Sequence, residues 1–313
     1  MSYEVRTIQA GHRGCFASQD LLRSQLILCA SPLITAPCFC RDRRYPIRCC
    51  ICWEPVSKDR LCQGCFMEAY CENCLQPPSH AFTCQYLLKL FELNDKFEAD
   101  IISFCHLCIK LIVSLAHNPT EADSLYDLCV LPLNLLQHQQ LNDLNTCIQL
   151  TSNILVHCFP INVETLVKDI FQREICNGFC FWDTSYEKYA QAIIPSASYF
   201  NHSCYPNAYK INIQGKVYIY ALREITQGEE ITISYVPHDY DRETRQNVLR
   251  TFFGFDCSCL RCISLSSLSL EEQKTLEDFE MTHVHNDCGG IFFYDNTYPS
   301  RLVCSICNRT KNV

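Results

Sequence analysis

Short apolar runs mark two parts of the chain, one near its start and one beyond its middle. Leu26–Cys29 and Leu33-Ile34 are apolar runs with Pro32 and Pro37 as punctuation, which is typical of strands. Lys216–Leu222 and Ile231–Tyr235 are separated by a turn that contains Gly228, and they predict two further strands. The pattern predicts a β-rich domain with strands on both sides of a long intervening segment.

The intervening segment has two parts. Residues 38–84 are dense in cysteine and loop-like, and from residue 85 to about 175 the pattern becomes helical. Thr120 with Asp123 predicts a capping box at the start of one helix. The helical spacing rests on Ile101, Ile102, Cys105, Cys108, Ile109 and Ile112. Cysteines without an assigned partner here are interpreted as small core hydrophobes: Cys105, Cys108, Cys129 and Cys147. Strands, a cysteine-rich insert, helices, strands and a cysteine-rich tail together indicate an α+β protein.

Composition narrows the classes of partner. The chain has 313 residues, is 48% hydrophobic and carries a net charge of −8, with a sequence pI of about 5.7. Without a basic run, an acidic chain disfavours direct contact with nucleic acid and favours a basic partner, such as a lysine-rich protein segment. No apolar run reaches the length of roughly 18 residues expected of a membrane helix, so no membrane is expected.

The sequence contains 26 cysteines, many of them in Cys-x2-Cys pairs. Such richness fits either an oxidised secreted scaffold or a reduced metal-binding protein. The N-terminus Met1–Thr7 lacks the apolar core of a signal peptide, and Cys-x2-Cys is zinc spacing. We therefore expect a reduced, zinc-loaded protein in the cytoplasm, the nucleus or both.

The first cysteine cluster supplies eight candidate ligands. They are Cys49, Cys52, Cys62, Cys65, Cys71, Cys74, His80 and Cys84. Seven thiolates and one imidazole suffice for two tetrahedral zinc sites. The alternative is a set of packed or redox-active thiols, which would not need His80 at that spacing. Cys50 is left without an assigned role.

Two further clusters follow near the end of the chain. His285, Cys288, Cys304 and Cys307 resemble a zinc ribbon, with His283 as a competing ligand and a metal-free hairpin as the alternative. Cys257, Cys259 and Cys262 provide only three ligands, and Cys204 is the candidate fourth. The alternative is a three-thiol cluster of no special role. About four zinc ions are expected in all.

Several motifs match one known family. Asn201–Asn207 resembles the N-H-S-C-x-P-N signature of SET methyltransferases, and Gly228–Tyr235 is similar to the G-E-E segment that follows it. Phe253–Cys259 resembles the entry to the post-SET zinc site, and Ile175–Phe179 also fits. The insert at 49–84 resembles a MYND finger. A MYND finger inside a SET domain is the layout of the SET-and-MYND protein-lysine methyltransferases.

The resemblance implies an α+β fold of small curved β-sheets with a pseudoknot, interrupted by the finger and a helical insert. It divides the chain into the first SET part (1–48), the MYND finger (49–84), the helical insert (85–174), the catalytic SET part (175–255) and the post-SET site with a zinc-ribbon-like tail (256–313). The larger relatives carry a long C-terminal helical domain. The chain ends soon after the ribbon, so a more open peptide groove is expected.

The resemblance also implies a function and its residues. The expected activity is S-adenosylmethionine-dependent methylation of a lysine on a histone or other protein. Tyr235 takes the catalytic role, and Phe179 and Phe253 line the lysine channel. The implied cofactor-binding residues are His12, Arg13, Gly14, Asn177, Asn201, His202, Tyr235 and Phe255. The expected partners are the protein substrate and proline-rich peptides at the finger, and the expected state is a monomer.

The sequence departs from the family at two site positions. His12-Arg13-Gly14 stands where the family has Gly-x-Gly, which adds a side chain where backbone approaches the cofactor. Phe253 stands where Tyr is frequent, and the missing hydroxyl bears on how many methyl groups are added. The alternative function is therefore a non-catalytic scaffold with weak or lost cofactor binding. A DNA-binding zinc protein is disfavoured by the acidic balance.

Overall fold

A computed structural model describes residues 2–9, 12–39, 46–155, 158–159, 162–183, 187–295, 298 and 300–312. It contains two compact units. The first comprises Met1–Ala30, Trp182–Glu187 and Ser196–Val313, and the second Ser31–Phe181 and Lys188–Pro195.

The first unit is built mainly from three small sheets. Its strands are β1 (Tyr3–Gln9), β2 (His12–Ala17), β3 (Leu26–Ala30), β7 (Asn201–His202), β8 (Ala208–Ile213), β9 (Lys216–Ala221), β10 (Glu230–Ile233), β11 (Phe292–Tyr294), β12 (Arg301–Cys304) and β13 (Thr310–Asn312). The strand orders are β1-β2-β10-β7, β3-β9-β8 and β11-β12-β13. Helices α6 (Arg242–Val248) and α7 (Leu270–His283) also lie in this unit.

Alternation along the strands explains how these sheets form. In β9, Val217, Ile219 and Ala221 are buried and point to one face. The turn into β9 has positive φ at Gln214 and Gly215, the backbone of a tight hairpin connection. The strands predicted at Leu26–Cys29, Lys216–Leu222 and Ile231–Tyr235 are confirmed as β3, β9 and β10.

The second unit combines helices with one sheet. Its helices are α1 (His80–Glu92), α2 (Ala99–His117), α3 (Ala122–Tyr126), α4 (His138–Leu155) and α5 (Val163–Asn177). The sheet has the order β4-β6-β5, formed by β4 (Ile34–Pro37), β5 (Gly178–Trp182) and β6 (Lys188–Ile193). The helical periodicity predicted around Ile101 is confirmed as α2.

Helix α2 is the centre of the second unit. It is buried on nearly all sides because its sequence is apolar all round, as is typical of a core helix. Among the described residues it is the one helix long and apolar enough to cross a membrane, but 67% of its apolar stretch is buried within the structure. The helix is therefore only weak evidence for a membrane span.

Two local predictions are wrong. Thr120 does not cap a helix: its hydroxyl donates to Asn118 Oδ1 at 2.9 Å, and α3 begins without a side-chain cap. Cys129 is exposed in a loop after α3, whereas Cys105, Cys108 and Cys147 are buried as expected. Spacing alone could not separate a residue in a helix from one just beyond it.

The five segments expected from the resemblance remain predictions. The division into compact units falls after Ala30, inside the segment 1–48, because β4 pairs with β6 in the second unit. Helix α5 continues to Asn177, past the expected boundary at 174 and 175.

Candidate active site and metal centres

The candidate active site lies where strands β7 and β10 run side by side. The two strands pair in parallel, with Asn201 opposite Thr232 and His202 opposite Ile233. The N–H of Ser203 continues the contact by donating to the Ile233 carbonyl at 3.0 Å. The N-H-S-C segment therefore lies beside the segment that leads to Tyr235.

Asn201 connects this contact to the first hairpin. Its Nδ2 donates to the Arg13 carbonyl at 2.9 Å and to Glu230 Oε1 at 2.7 Å. A Cβ on Gly14 would lie 2.5 Å from that Glu230 oxygen and 2.9 Å from Asn201 Nδ2. A larger residue would have to displace these side chains, so close approach favours glycine as the last residue of His12-Arg13-Gly14.

His202 has a structural role. Its Nδ1 accepts a hydrogen bond from the Tyr235 backbone N–H at 3.0 Å, so the proton of the neutral ring is on Nε2, 3.1 Å from Cys204 Sγ. Burial lowers the pKa of His202 to about 4. The neutral ring is therefore favoured near pH 7, and its Nδ1 holds the Tyr235 backbone.

Tyr235 is half-buried among aromatic rings. Its hydroxyl donates to the Phe200 carbonyl at 2.8 Å, and its ring centroid lies 4.8 Å from that of Phe253. Helix α6 continues into a π-helical turn over Leu249–Phe253, which ends at Gly254 with φ 74°. The left-handed glycine reverses the chain between Phe253 and Phe255. Both rings stay half-buried beside Tyr235.

The remaining predicted site residues divide between the units. His12 is exposed, and the Arg13 guanidinium stacks on the Tyr199 ring at 4.7 Å in the first unit. Asn177 and Phe179 are buried in the second unit, where Asn177 Nδ2 donates to the Cys129 carbonyl at 2.8 Å. The roles of these four residues stay predictions.

The post-SET cysteines form a four-sulfur group with Cys204. The sulfur atoms of Cys204, Cys257, Cys259 and Cys262 all lie within 4.8 Å of one another. Gln246 supports the group, because its amide donates to the Cys257 carbonyl at 2.6 Å and accepts from the Cys257 N–H at 3.0 Å. The choice of Cys204 as the fourth ligand is supported, and the donor set fits a closed structural zinc site.

The finger contains two interleaved groups of candidate ligands. One is formed by Cys49, Cys52, Cys71 and Cys74 and the other by Cys62, Cys65, His80 and Cys84, with the ligand atoms of each group within 4.8 Å. The alternation of pairs along the chain ties both sites into one finger. Backbone N–H donation from Cys74 is the main cause that lowers the pKa of Cys71 to about 7, which favours the thiolate that zinc requires.

The tail carries the fourth group. His285, Cys288, Cys304 and Cys307 come within the same 4.8 Å limit. His283, the competing candidate, instead donates from Nδ1 to the Phe292 carbonyl at 2.8 Å. All sixteen predicted ligands thus fall into four groups, which fit four zinc ions. Cys50 is buried outside them.

Two carboxylates near these sites were not predicted. Glu230 is the partner of Asn201 described above, and Glu68 is buried in the finger beside His80. Burial opposes ionisation of Glu68, but the Lys110 charge and the His106 and His80 rings hold the pKa of Glu68 well below its usual range. A single acidic residue in a cysteine-rich segment gives no sequence signal that separates this role from a solvated surface position.

Comparison with known proteins identifies the family. A model of the SET domain matches residues 12–236. Histone-lysine N-methyltransferase ASHR1 of Arabidopsis thaliana is 25% identical over 307 residues, which cover 94% of the chain and 62% of the relative. Mouse histone-lysine N-methyltransferase SMYD3 is 26% identical over 261 residues, covering 80% and 58%. A SET and MYND domain-containing protein of Dictyostelium discoideum is 30% identical over 161 residues, covering 46% and 38%.

The chain therefore belongs to the SET-domain family. The interleaved finger and these relatives agree with the expected SET-and-MYND type. The chain spans less than two thirds of the length of each of the three relatives.

Proposed function

We propose that the protein is an S-adenosylmethionine-dependent protein-lysine N-methyltransferase acting on a histone or another protein. The observation that carries this proposal is the fixed position of Tyr235 at the β7–β10 contact. Its backbone is held by His202 and its hydroxyl by the Phe200 carbonyl, and the Phe253 ring lies alongside. The family match and two relatives described as histone-lysine N-methyltransferases support the reaction class.

The residues of the first unit fit the cofactor. Gly14 packs closely against Asn201, and the half-buried Phe255 ring offers a face on which an adenine can stack. The exposed His12 side chain adds bulk at the surface and not in this packed interior. Asn201, His202 and Phe255 would hold the cofactor.

The chemistry needs a neutral lysine amine. Free lysine has a pKa near 10.4, and an apolar lining of aromatic rings lowers the pKa of an amine by removing water from its charged form. S-adenosylmethionine, when bound, supplies an electrophilic methyl group on a sulfonium. Tyr235 and Phe253 would desolvate and align the amine, and the Tyr235 hydroxyl would orient it. Alignment of this kind is worth up to roughly 7–11 kcal/mol. Water can accept the released proton, so no strong base is required.

We also propose the setting in which the enzyme works. Fourteen cysteines (four, three, four and three in the four groups) serve as thiolate ligands, which fits a reducing compartment such as the cytoplasm or nucleus. The finger would dock proline-rich peptides, and the protein would act as a monomer.

The experiment that tests this function is calorimetric titration of the full chain with S-adenosylmethionine and its demethylated product. We expect binding, and we expect Phe255→Ala to weaken it about tenfold because an aromatic stacking partner is lost. Phe252→Ala is the matched control, because Phe252 is 42% exposed and carries no predicted role. If no binding is detected at millimolar cofactor, the proposal of an enzyme is overturned and the alternative of a non-catalytic scaffold is favoured.

A further inference from the structure

Glu68 is a carboxylate buried in the second unit. Its side chain is only 1% exposed, yet four donors surround it. An ionised carboxylate in such a place is costly unless charge and hydrogen bonds compensate it. Two of the four donors lie in the finger and two lie on helix α2.

One carboxylate oxygen faces the finger. Oε2 accepts a hydrogen bond from the Tyr70 hydroxyl at 2.5 Å and lies 2.7 Å from His80 Nδ1. The Nδ1–H bond is not aimed straight at this oxygen, but Nδ1 is buried and has no better-aligned acceptor in the described part of the chain. The opposite nitrogen of the ring, Nε2, lies 3.3 Å from Cys62 Sγ and 3.7 Å from Cys65 Sγ. His80 therefore stands between Glu68 and the metal ligands.

The other carboxylate oxygen faces helix α2. Oε1 accepts from Lys110 Nζ at 2.5 Å and lies 3.2 Å from His106 Nε2. Lys110 and His106 are one turn apart on α2, and His106 is 1% exposed. Glu68 thus joins the finger to the core helix of the same unit.

We propose that Glu68 is a positioning residue for the second metal site of the finger and couples that metal to helix α2. Through Oε2 it fixes the His80 tautomer that leaves Nε2 available for zinc. Through Oε1 it is itself held by Lys110 and His106. Metal ligands commonly need such an outer partner, and its loss typically costs 10–100-fold in metal affinity.

The first test measures zinc transfer from the full-length protein to a chromogenic chelator. Glu68→Gln is expected to weaken one of the four zinc sites by about 10- to 100-fold and to leave the other three unchanged. The matched control is Glu72→Gln, because Glu72 lies in the same finger, is 77% exposed and pairs with Arg60 at the surface. Equal zinc retention in Glu68→Gln and the parent protein would overturn the proposal.

A double-mutant cycle separates positioning from a general packing effect. In a His80→Cys background the ligand has no second ring nitrogen, so Glu68→Gln is expected to change zinc affinity less than threefold. A loss of the same size in both backgrounds would show that Glu68 does not act through His80.

The coupling to α2 is tested by hydrogen exchange, which does not depend on the folding of Glu68→Gln. Cys84→Ser removes a ligand of the second finger site, and Cys74→Ser removes one of the first. We expect amides of α2 to exchange at least tenfold faster in Cys84→Ser than in Cys74→Ser. Equal exchange in the two variants would refute the coupling. None of these readouts depends on methyltransferase activity.

Discussion

The second finger site and the post-SET site both bring four ligand atoms together, but their surroundings differ. Around the finger site, the ion pair of Glu68 with Lys110 and the hydrogen bond of Glu68 with His106 form a buried polar network that extends to the core helix α2. Around the post-SET site, the support comes from Gln246, which bonds the Cys257 backbone, and from Arg245, whose guanidinium donates to the Arg261 carbonyl at 3.1 Å.

From this difference we infer that metals at the two sites would have different roles. Glu68 connects the finger site to helix α2 through Lys110, so a metal at this site would contribute to the stability of that core. The post-SET site ties Cys204, next to the β7–β10 contact, to a segment more than fifty residues later. We infer that a metal there would hold Phe253 and Phe255 beside Tyr235, because these rings pack in one cluster with the four cysteines.

Removal of one post-SET ligand should have the largest effect on activity. Cys259→Ser is expected to lower the zinc content by one ion and to reduce methyl transfer at least about 100-fold, because structural zinc supplies much of the folding free energy of its segment. Metal analysis and transfer of labelled methyl groups measure the two effects. Cys29→Ser replaces an exposed cysteine of the same unit and should change neither. Full methyl transfer in a variant that has lost this zinc ion would show that the active site does not need the post-SET metal.

Removal of the cation beside Glu68 should act on stability instead. Lys110→Met leaves a buried carboxylate without its charged partner, and we expect the free energy of unfolding to fall by about 3 kcal/mol. Urea unfolding followed by circular dichroism measures the change. Lys89→Met on the exposed face of α1 is the control and should stay within about 0.5 kcal/mol of the parent. Equal stability of the two variants would show that the ion pair between Glu68 and Lys110 does not stabilise the protein.

Much of the architecture could be predicted from local pattern. Apolar runs between turn residues identified β3, β9 and β10, helical spacing identified α2, and ligand spacing identified fifteen of the sixteen candidate ligands. Such features are encoded by residues close together in sequence. The need of tetrahedral zinc for a fourth ligand led to Cys204, and the motif at Asn201–Asn207 added the family.

The environment of the sites could not be predicted in the same way. The interleaving of the finger ligands, the pairing of Asn201 with Glu230 and the burial of Glu68 all depend on contacts between distant segments. Glu68 meets Lys110 across 42 positions of sequence, and no periodicity connects them. The prediction that Cys129 is a core residue was wrong for a different reason. Cysteine is common in protein cores, but Cys129 lies beyond the end of a helix, where it is exposed.

The central claim is that Tyr235, fixed at the β7–β10 contact, provides the catalytic hydroxyl of a lysine methyltransferase. The most direct test compares transfer of labelled methyl groups from S-adenosylmethionine to a histone mixture by Tyr235→Phe and Tyr240→Phe. We expect Tyr235→Phe to lower kcat on the order of 100-fold with cofactor affinity nearly unchanged, because one oriented polar group is lost. Tyr240 is 37% exposed and lies outside the site, so its variant should match the parent. An unchanged rate in Tyr235→Phe, or an equal loss in both variants, would contradict the claim.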